Sequence, residues 1–351
     1  MPAKLTVIVP IRAIAGRDIA ERLAYAVADP FVPHEDVGFL VVDDGSPETQ
    51  RRRHEEACGR LGMQYVFLQT ADKPPNMARA RNAGVRQAKT PYILFMDVDL
   101  HPYPGYYRDI LRQIQVQQIE RHHDDLVMTG VVYLTEEGSR KFLQMAPHER
   151  RDFFLADVIT RRWIEKISTG TSVTLMHRTR YAELGGYDES FEQWGYEDLE
   201  FNLRMMYRSG RFVLPDAFEK DIGSFDAPPG AYRGWKSLYR LYGDITAQER
   251  IFLFHIWHPV DRDNAYIRGY ERNRRRFVRC LHRLAASPRT DCCRFPRQDE
   301  VYARFDAREK PLSWQERYRN SILVTWVQPL KSVPLIGTLL TRIKREVLRW
   351  R

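Results

Sequence analysis

Two aspartates, Asp97 and Asp99, stand one residue apart at the end of the apolar run Ile93-Leu94-Phe95-Met96, in "YILFMDVDLHP" (Tyr92 to Pro102). In an extended segment residues i and i+2 share a face, so the two carboxylates stand side by side if the strand geometry persists. Like charges that close repel unless a cation or a set of donors sits between them. The pair is either two incidental acids in a solvated loop or half of a metal site. A second acid pair, Glu197-Asp198 in "QWGYEDLEF", opens an amphipathic pattern. Backbone donors and the helix dipole hold a carboxylate at such a start. That suits a general base, because an alcohol is a poor nucleophile until its proton leaves. The plainer reading is that both acids merely favour the helix start. Two histidines, His255 and His258, follow in "IFLFHIWHP". In a straight strand they point oppositely; a turn after Ile256 lets both face one cation. The plainer reading of each is a satisfied core histidine.

These residues need elements to carry them. "KLTVIVP" (Lys4 to Pro10) reads as a first strand, and a helical pattern follows from about Asp18 to Ala28. "DVGFLVVDDGSPE" gives a second strand ending at Asp43-Asp44-Gly45-Ser46, and "MQYVFLQ" a third. "NMARARNAGVRQA" is helical, with Asn76 as N-cap. Strands alternating with helices predict an α/β fold with a doubly wound, mostly parallel sheet, whose ligands gather at the carboxyl ends of the strands. Asp44, Asp97 and Asp99 all fall at such ends. Further on, Leu126 to Leu134 and Thr171 to Arg178 read as strands, and His148 to Lys166 as a charged helical lid or acceptor-side insertion. A short helix ends at Gly185-Gly186, Glu197 to Gly210 is an amphipathic helix, and Ile251 to Pro259 is the last strand.

The chain has 351 residues, 43% apolar, and a net charge of +9. Residues 261–351 hold 22 Lys plus Arg against 10 Asp plus Glu, so the remainder is slightly acidic. That division predicts a body at 1–260 and a basic, mainly helical extension at 261–351 that meets an anionic partner. "SILVTWVQPLKSVPLIGTLLTRIKREVLRWR" suits an interfacial helix on anionic lipid. "RNRRR" (Arg272 to Arg276) suits an acidic polysaccharide or a solvated face, and no nucleic-acid module is visible. Cys58, Cys280, Cys292 and Cys293 show no metal spacing, which points to a reduced compartment. "MPAKLTVIVP" enters a strand directly and no apolar run nears the roughly 18 residues of a spanning helix, so a cytoplasmic protein, peripheral at the membrane, is expected.

"VDDGS", "ARNAG", the D-x-D, "LGGYDESFEQWGYEDLEF" and "HIWH" occur in a recognisable order. From Leu5 to Pro259 the chain resembles inverting GT-A fold glycosyltransferases, family 2 in particular. It is also similar to bacterial chondroitin-type polymerases and to β-galactosyl- and N-acetylgalactosaminyltransferases. The resemblance implies transfer of a sugar from a UDP-sugar to a glycan or lipid-linked acceptor in surface polysaccharide synthesis. It implies Mn²⁺, with Mg²⁺ as the alternative, held by Asp99 and His258, with Asp97 and His255 as further ligands; Asp plus His plus diphosphate oxygens suits such a cation. Pro10 and Arg12 would lie beside the nucleotide, and Asp44 would accept from the uracil ring nitrogen. Asp97 would reach the ribose hydroxyls, and Arg81 the nucleobase or diphosphate, with Arg79 competing. Asp198 matches the family's base, Glu197 would bond acceptor or donor sugar, and Trp194 offers a flat face to a sugar ring. Asn82 reads as a helix-packing or loop-bracing residue. His255 stands where the galactosyltransferases have Met. The rivals are a non-catalytic sugar-nucleotide-binding protein of the same fold and a sugar-1-phosphate nucleotidyltransferase. The latter needs a glycine-rich loop after strand one, which "VPIRAIAGR" lacks.

Overall fold

The computed structural model describes residues 4–14, 16–157, 160–225, 232–259 and 269–287. Its frame is a sheet of β1 (Leu5–Ile11), β2 (Val37–Asp43), β3 (Gln64–Phe67), β4 (Tyr92–Phe95), β5 (Leu100–His101), β6 (Leu126–Leu134), β7 (Ile164–His177) and β8 (Phe252–His255). Their order across the sheet is β3-β2-β1-β4-β7-β6-β8-β5. The β-branched run of β1 is buried on both sides: Leu5, Val7, Val9 and Ile11 enter one core and Ile8 the other. Near-continuous apolar runs are what strands covered on both faces require.

Helices α1 (Ile19–Ala26), α2 (Glu48–Leu61), α4 (Tyr106–Val116), α5 (Glu136–Gln144) and α6 (Pro147–Ala156) contribute to the first core. Helices α3 (Met77–Gln87), α7 (Arg178–Glu183), α8 (Glu197–Ser209), α9 (Trp235–Gln248) and α10 (Tyr270–Ala285) contribute to the second. The fold is the doubly wound, GT-A-like α/β layout that the sequence implies. Its sheet is mixed: β1 pairs in parallel with β2 and β4, β2 with β3, and β6 with β8, whereas β4–β7, β6–β7 and β5–β8 are antiparallel.

Three departures from the sequence reading shape the site. Residues 148–166 are not one helix: α6 stops at Ala156, and Ile164 already pairs with Leu134 in β7. Asp157 makes the turn by accepting the N–H of Trp163 (2.6 Å) and Ile164 (3.0 Å). The last strand is short, since β8 ends at His255. And α10, expected in an extension apart from the body, packs Phe277 and Leu281 into the second core. The expectations placed on the rest of the basic tail, including Cys292, Cys293 and the terminal apolar stretch, lie outside the described residues. Among the described residues no helix is long and apolar enough to cross a membrane.

Candidate active site

The ends of β1, β2 and β4 place Arg12, Asp44 and Asp97 along one edge of the sheet. At the end of β2, Asp43 turns inward. It accepts from Ser46 N–H (2.8 Å) and Tyr65 Oη (2.9 Å) and bonds His54 Nδ1 (2.8 Å). Burial pushes its carboxyl up, but these hydrogen bonds win and its pKa falls below the ordinary value. Asp44 points into the next layer. The turn after them needs Gly45, whose φ is +81° and where a Cβ would lie 2.6 Å from the Thr70–Ala71 backbone.

Asp44 is fully buried and its oxygens are already taken. It accepts from Arg79 Nε (2.8 Å), Asn76 N–H (2.7 Å) and Thr70 Oγ1 (3.0 Å), with Arg12 at 3.4 Å. Asp44 stands behind Arg12 and Arg79, whose side chains keep 14% and 15% of their exposure. Sequence spacing could not divide the two arginines of "ARARNAG". Arg79 goes to Asp44, while Arg81 is buried between Glu197 (2.8 Å) and Asp97 (3.1 Å). Pro10 is buried in β1 opposite Val42.

The D-x-D motif does not keep its strand geometry. β4 ends at Phe95 and a turn follows, closed by Leu100 N–H on the Asp97 carbonyl (3.1 Å). The two carboxylates consequently take different partners. Asp97 accepts from Arg81 and from Ser172 Oγ (2.6 Å). Its side chain stays 41% exposed, yet enclosure raises its pKa, and the Asp198 and Asp99 charges add to the rise against Arg81. Asp97 thus senses both the acid pair and the second aspartate of its own motif.

Asp99 accepts from Arg17 (2.7 Å) and Arg22 (2.8 Å), and His258 Nε2 lies 3.3 Å away. Burial raises its carboxyl, but His258 and the two arginines outweigh it and bring the pKa to about 2. The Asp99 carbonyl accepts Ile256 N–H (2.9 Å), and Leu100 pairs with His255. This clip bends the chain after His255, and ligand atoms of Asp99, His255 and His258 come within 4.8 Å of one another. Burial pushes His255 down to about 4, so its imidazole is neutral near pH 7 and keeps a lone pair. One carboxylate and two imidazoles fit a divalent cation such as Mn²⁺. Arg22 also donates to the carbonyls of Ile256 (3.3 Å) and Trp257 (3.0 Å) and so braces the turn.

Helix α8 begins after Gly195 (φ +97°) and Tyr196 (φ +73°), both left-handed, and has no side-chain cap. Asp198 accepts from Thr171 Oγ1 (2.6 Å) and Leu199 N–H (2.8 Å). Glu197 is buried and only one of its oxygens is bonded, by Arg81. Burial and the adjacent Asp198 push its pKa up to about 7 despite Arg81. Thr171 and Ser172 lie in a bulge: Met128 pairs with Thr174 but Thr129 with Gly170. Bulges re-aim side chains, and this one turns Thr171 to Asp198 and Ser172 to Asp97. Asn202 of α8 pins it by donating to the Thr171 carbonyl (2.6 Å). Asn82 does brace a loop: it donates to the carbonyl of Tyr187 (2.9 Å) and to Glu189 (2.9 Å), and accepts from Tyr181 Oη and Tyr187 N–H. Trp194 is 46% exposed and stacks on Tyr270.

Sequence reasoning missed Arg17, Arg22, Thr171, Ser172 and Asn202. Only the Arg-rich "IRAIAGRDIAERL" and the irregular polar run "STGTS" hinted at them.

A mixed α/β sheet with acids at the carboxyl ends of its parallel strands, and an acid pair opening a helix beside them, make up a GT-A-like α/β layout. The chain belongs to the glycosyltransferase like family 2, whose model matches residues 6–283. It is 26% identical to validoxylamine A glucosyltransferase of Streptomyces hygroscopicus subsp. limoneus over 246 residues, covering 64% of this chain and 51% of that one. It is 24% identical to chondroitin synthase of Escherichia coli over 231 residues, covering 56% of this chain and 31% of that one. The chain thus spans about half of the first relative and a third of the second. The solved structure of S. aureus TarS 1-349 in complex with UDP-GlcNAc is similar over 57% of this chain and 53% of that one, at 16% identity and a TM-score of 0.37.

Proposed function

We propose that this glycosyltransferase is inverting and metal-dependent, moving a sugar from a UDP-sugar to a hydroxyl of a glycan or lipid-linked acceptor in surface polysaccharide synthesis. The observation that carries the reading is Arg81, which joins Asp97 to Glu197 and so ties the D-x-D turn to the acid pair of α8. Asp198 is the base. Its carboxylate is held by Thr171 and Leu199 N–H, and it takes the proton as the acceptor oxygen bonds the anomeric carbon. The bond from that carbon to the diphosphate breaks on the opposite face and UDP departs with the electron pair. Asp99, His255 and His258 are the residues that would hold Mn²⁺ or Mg²⁺, which when bound neutralises diphosphate charge. Asp97 stays on the donor side, and Arg12 and Arg79 border the nucleotide. The free oxygen of Glu197 meets a sugar hydroxyl. The non-catalytic rival has to explain why Asp198, the Thr171 hydroxyl that orients it and the Asp99, His255 and His258 cluster are present together.

The test is UDP release from a panel of UDP-sugars with Mn²⁺, Mg²⁺ or chelator, followed by NMR assignment of the product anomer. Transfer that persists in chelator removes the metal from the reading, and a product with the donor's anomeric configuration removes the inversion.

A further inference from the structure

Helix α10 has two faces with different work. The inner face builds the loop that leads into the acid pair. Asn273, fully buried, donates to the carbonyls of Glu192 (2.9 Å) and Trp194 (3.2 Å). Tyr270 stacks on Trp194 at 5.2 Å and 22°, and its hydroxyl accepts from Tyr196 at 3.1 Å. Phe277 and Leu281 fix the helix in the core.

The outer face is strongly basic, with the exposed Glu271 at its start as the one acid of the helix. The helix carries six arginines and a single glutamate. Arg272, Arg275, Arg279 and Arg283 recur at spacings of three and four, so they line one side. Arg272 has Glu192 at 3.6 Å. Arg275, Arg279 and Arg283 have no carboxylate partner among the described residues; Arg275 and Arg283 bond carbonyls of their own helix. A solvated helix face gains from alternating charge, whereas like charges four apart destabilise it. A row that keeps this repulsion, beside an exposed tryptophan, suits an anionic ligand that relieves it.

We infer that α10 is the acceptor rail, and that the acceptor is an acidic glycan. Its carboxylates lie along Arg272, Arg275, Arg279 and Arg283, its terminal sugar rests on the open face of Trp194, and its hydroxyl meets Asp198. The twelve residues from Arg272 to Arg283 span about 16 Å, room for several sugar units. A lipid surface fits less well. An interfacial helix needs an apolar face for the acyl boundary, and the apolar side chains Phe277 and Leu281 are spent on the core. The inference rests on the proposed transfer reaction for its use of Asp198, but the rail binds without turnover.

The experiment uses the full chain with UDP and Mn²⁺. The probes are a chondroitin hexasaccharide, the same hexasaccharide with its carboxylates reduced to alcohols, and phosphatidylglycerol vesicles. The charged hexasaccharide should bind about tenfold tighter than the reduced one, and added salt should erode the difference. In the double variant R275Q/R279Q its affinity should fall about tenfold, given what exposed ion pairs contribute. UDP affinity should stay at the wild-type value, and R275K/R279K should retain most of the hexasaccharide affinity. Equal affinity for charged and reduced sugars, indifference to R275Q/R279Q, or binding to vesicles without binding to the hexasaccharide each overturns the rail. Failure of every donor to release UDP while the charged hexasaccharide still binds overturns the transfer reading and upholds the rail.

Discussion

The Arg17 guanidinium donates to Asp99 Oδ2 at 2.7 Å, on the oxygen that also faces His258 Nε2 at 3.3 Å. A protein cation thus stands against the same oxygen that a metal would take. Arg17 makes no other hydrogen bond from its side chain among the described residues, and it borders a cavity of about 330 Å³ lined also by Pro47, Arg53 and His54. Removing its charge should favour a second cation. Arg17→Gln should tighten Mn²⁺ binding in the absence of nucleotide by about tenfold, one guanidinium charge at that distance being worth at least that. Arg22→Gln should also help the metal but loosen the turn, because Arg22 holds the Ile256 and Trp257 carbonyls. Free Mn²⁺ followed by electron paramagnetic resonance reads both, and an unchanged affinity in Arg17→Gln would show that the ion binds elsewhere.

The same cluster sets an acid limit on stability. The Asp99 pKa is depressed to about 2 from an ordinary 3.8. A depressed carboxylate stabilises the fold above its unfolded pKa and loses that contribution as pH falls through the folded one. The window therefore runs from about pH 4 down to about pH 2 and is worth about 2 kcal/mol. Urea denaturation across it should show a decline in wild type that Asp99→Asn lacks.

Glu197 works in the opposite sense. Its pKa is raised from 4.5 to about 7, so its favourable neutral form is fully present below pH 4.5 and is lost as pH rises through about 7. Relative to its value at pH 4.5, wild-type stability at pH 8 should be lower by roughly 3 kcal/mol from this group. Glu197→Gln cannot ionise, and its stability should not decline over that window. Parallel pH profiles of the two proteins in one region would mean that the Glu197 carboxyl titrates normally.

The sequence made the frame legible because the frame obeys local rules. β1, β2 and β4 are continuous apolar runs, and Asn76 and Asp18 cap their helices by accepting the N–H of Arg79 and Glu21. The acid pair and the histidines were visible as residue types at suggestive spacing. What stayed hidden depends on contacts distant in sequence. Arg17 and Arg22 meet Asp99 some eighty positions away. The bulge at Thr171 exists only in the pairing of β7 with β6. Helix α2 buries just His54, Ala57 and Cys58, too thin a stripe to stand out from its charges. The saturation of Asp44 comes from three different segments, at Arg12, at Thr70 and at Asn76–Arg79, and no local pattern encodes it.

Thr171 is the residue that makes Asp198 testable without removing it. Asp198→Asn should keep UDP affinity near wild type and lower transfer by about 10²-fold or more, the scale of a lost general base. Thr171→Val removes only the 2.6 Å hydrogen bond to Asp198. It should lower kcat by about tenfold with little change in KM for the donor, since orientation of the base is lost but its charge is kept. If Asp198→Asn transfers at most of the wild-type rate with saturating substrates, Glu197 becomes the candidate base.

The last prediction separates two roles for Asp44. If it is an anchor, its work is to hold Arg79 and Arg12 at the nucleotide, and its own oxygens never meet the base. Asp44→Asn then puts an amide against two guanidiniums and a backbone N–H, and breaks a fully buried ionic cluster. Losing one partner of such a cluster costs about 3–5 kcal/mol, because the remaining charges stay uncompensated. Stability and UDP affinity should fall together. Arg79→Gln, at a side chain 15% exposed, should cost less stability yet lower UDP affinity by about tenfold, as loss of a charge-assisted contact does. If instead Asp44 accepts directly from the base, Arg79→Gln should leave UDP affinity nearly intact. Asp44→Asn should then weaken UDP binding strongly at unchanged stability and lose the wild-type preference for uracil over cytosine nucleotides. Calorimetric titration of both variants with UDP and CDP, alongside urea denaturation of each, distinguishes the outcomes, and a stable Asp44→Asn protein that no longer binds UDP would return Asp44 to the base.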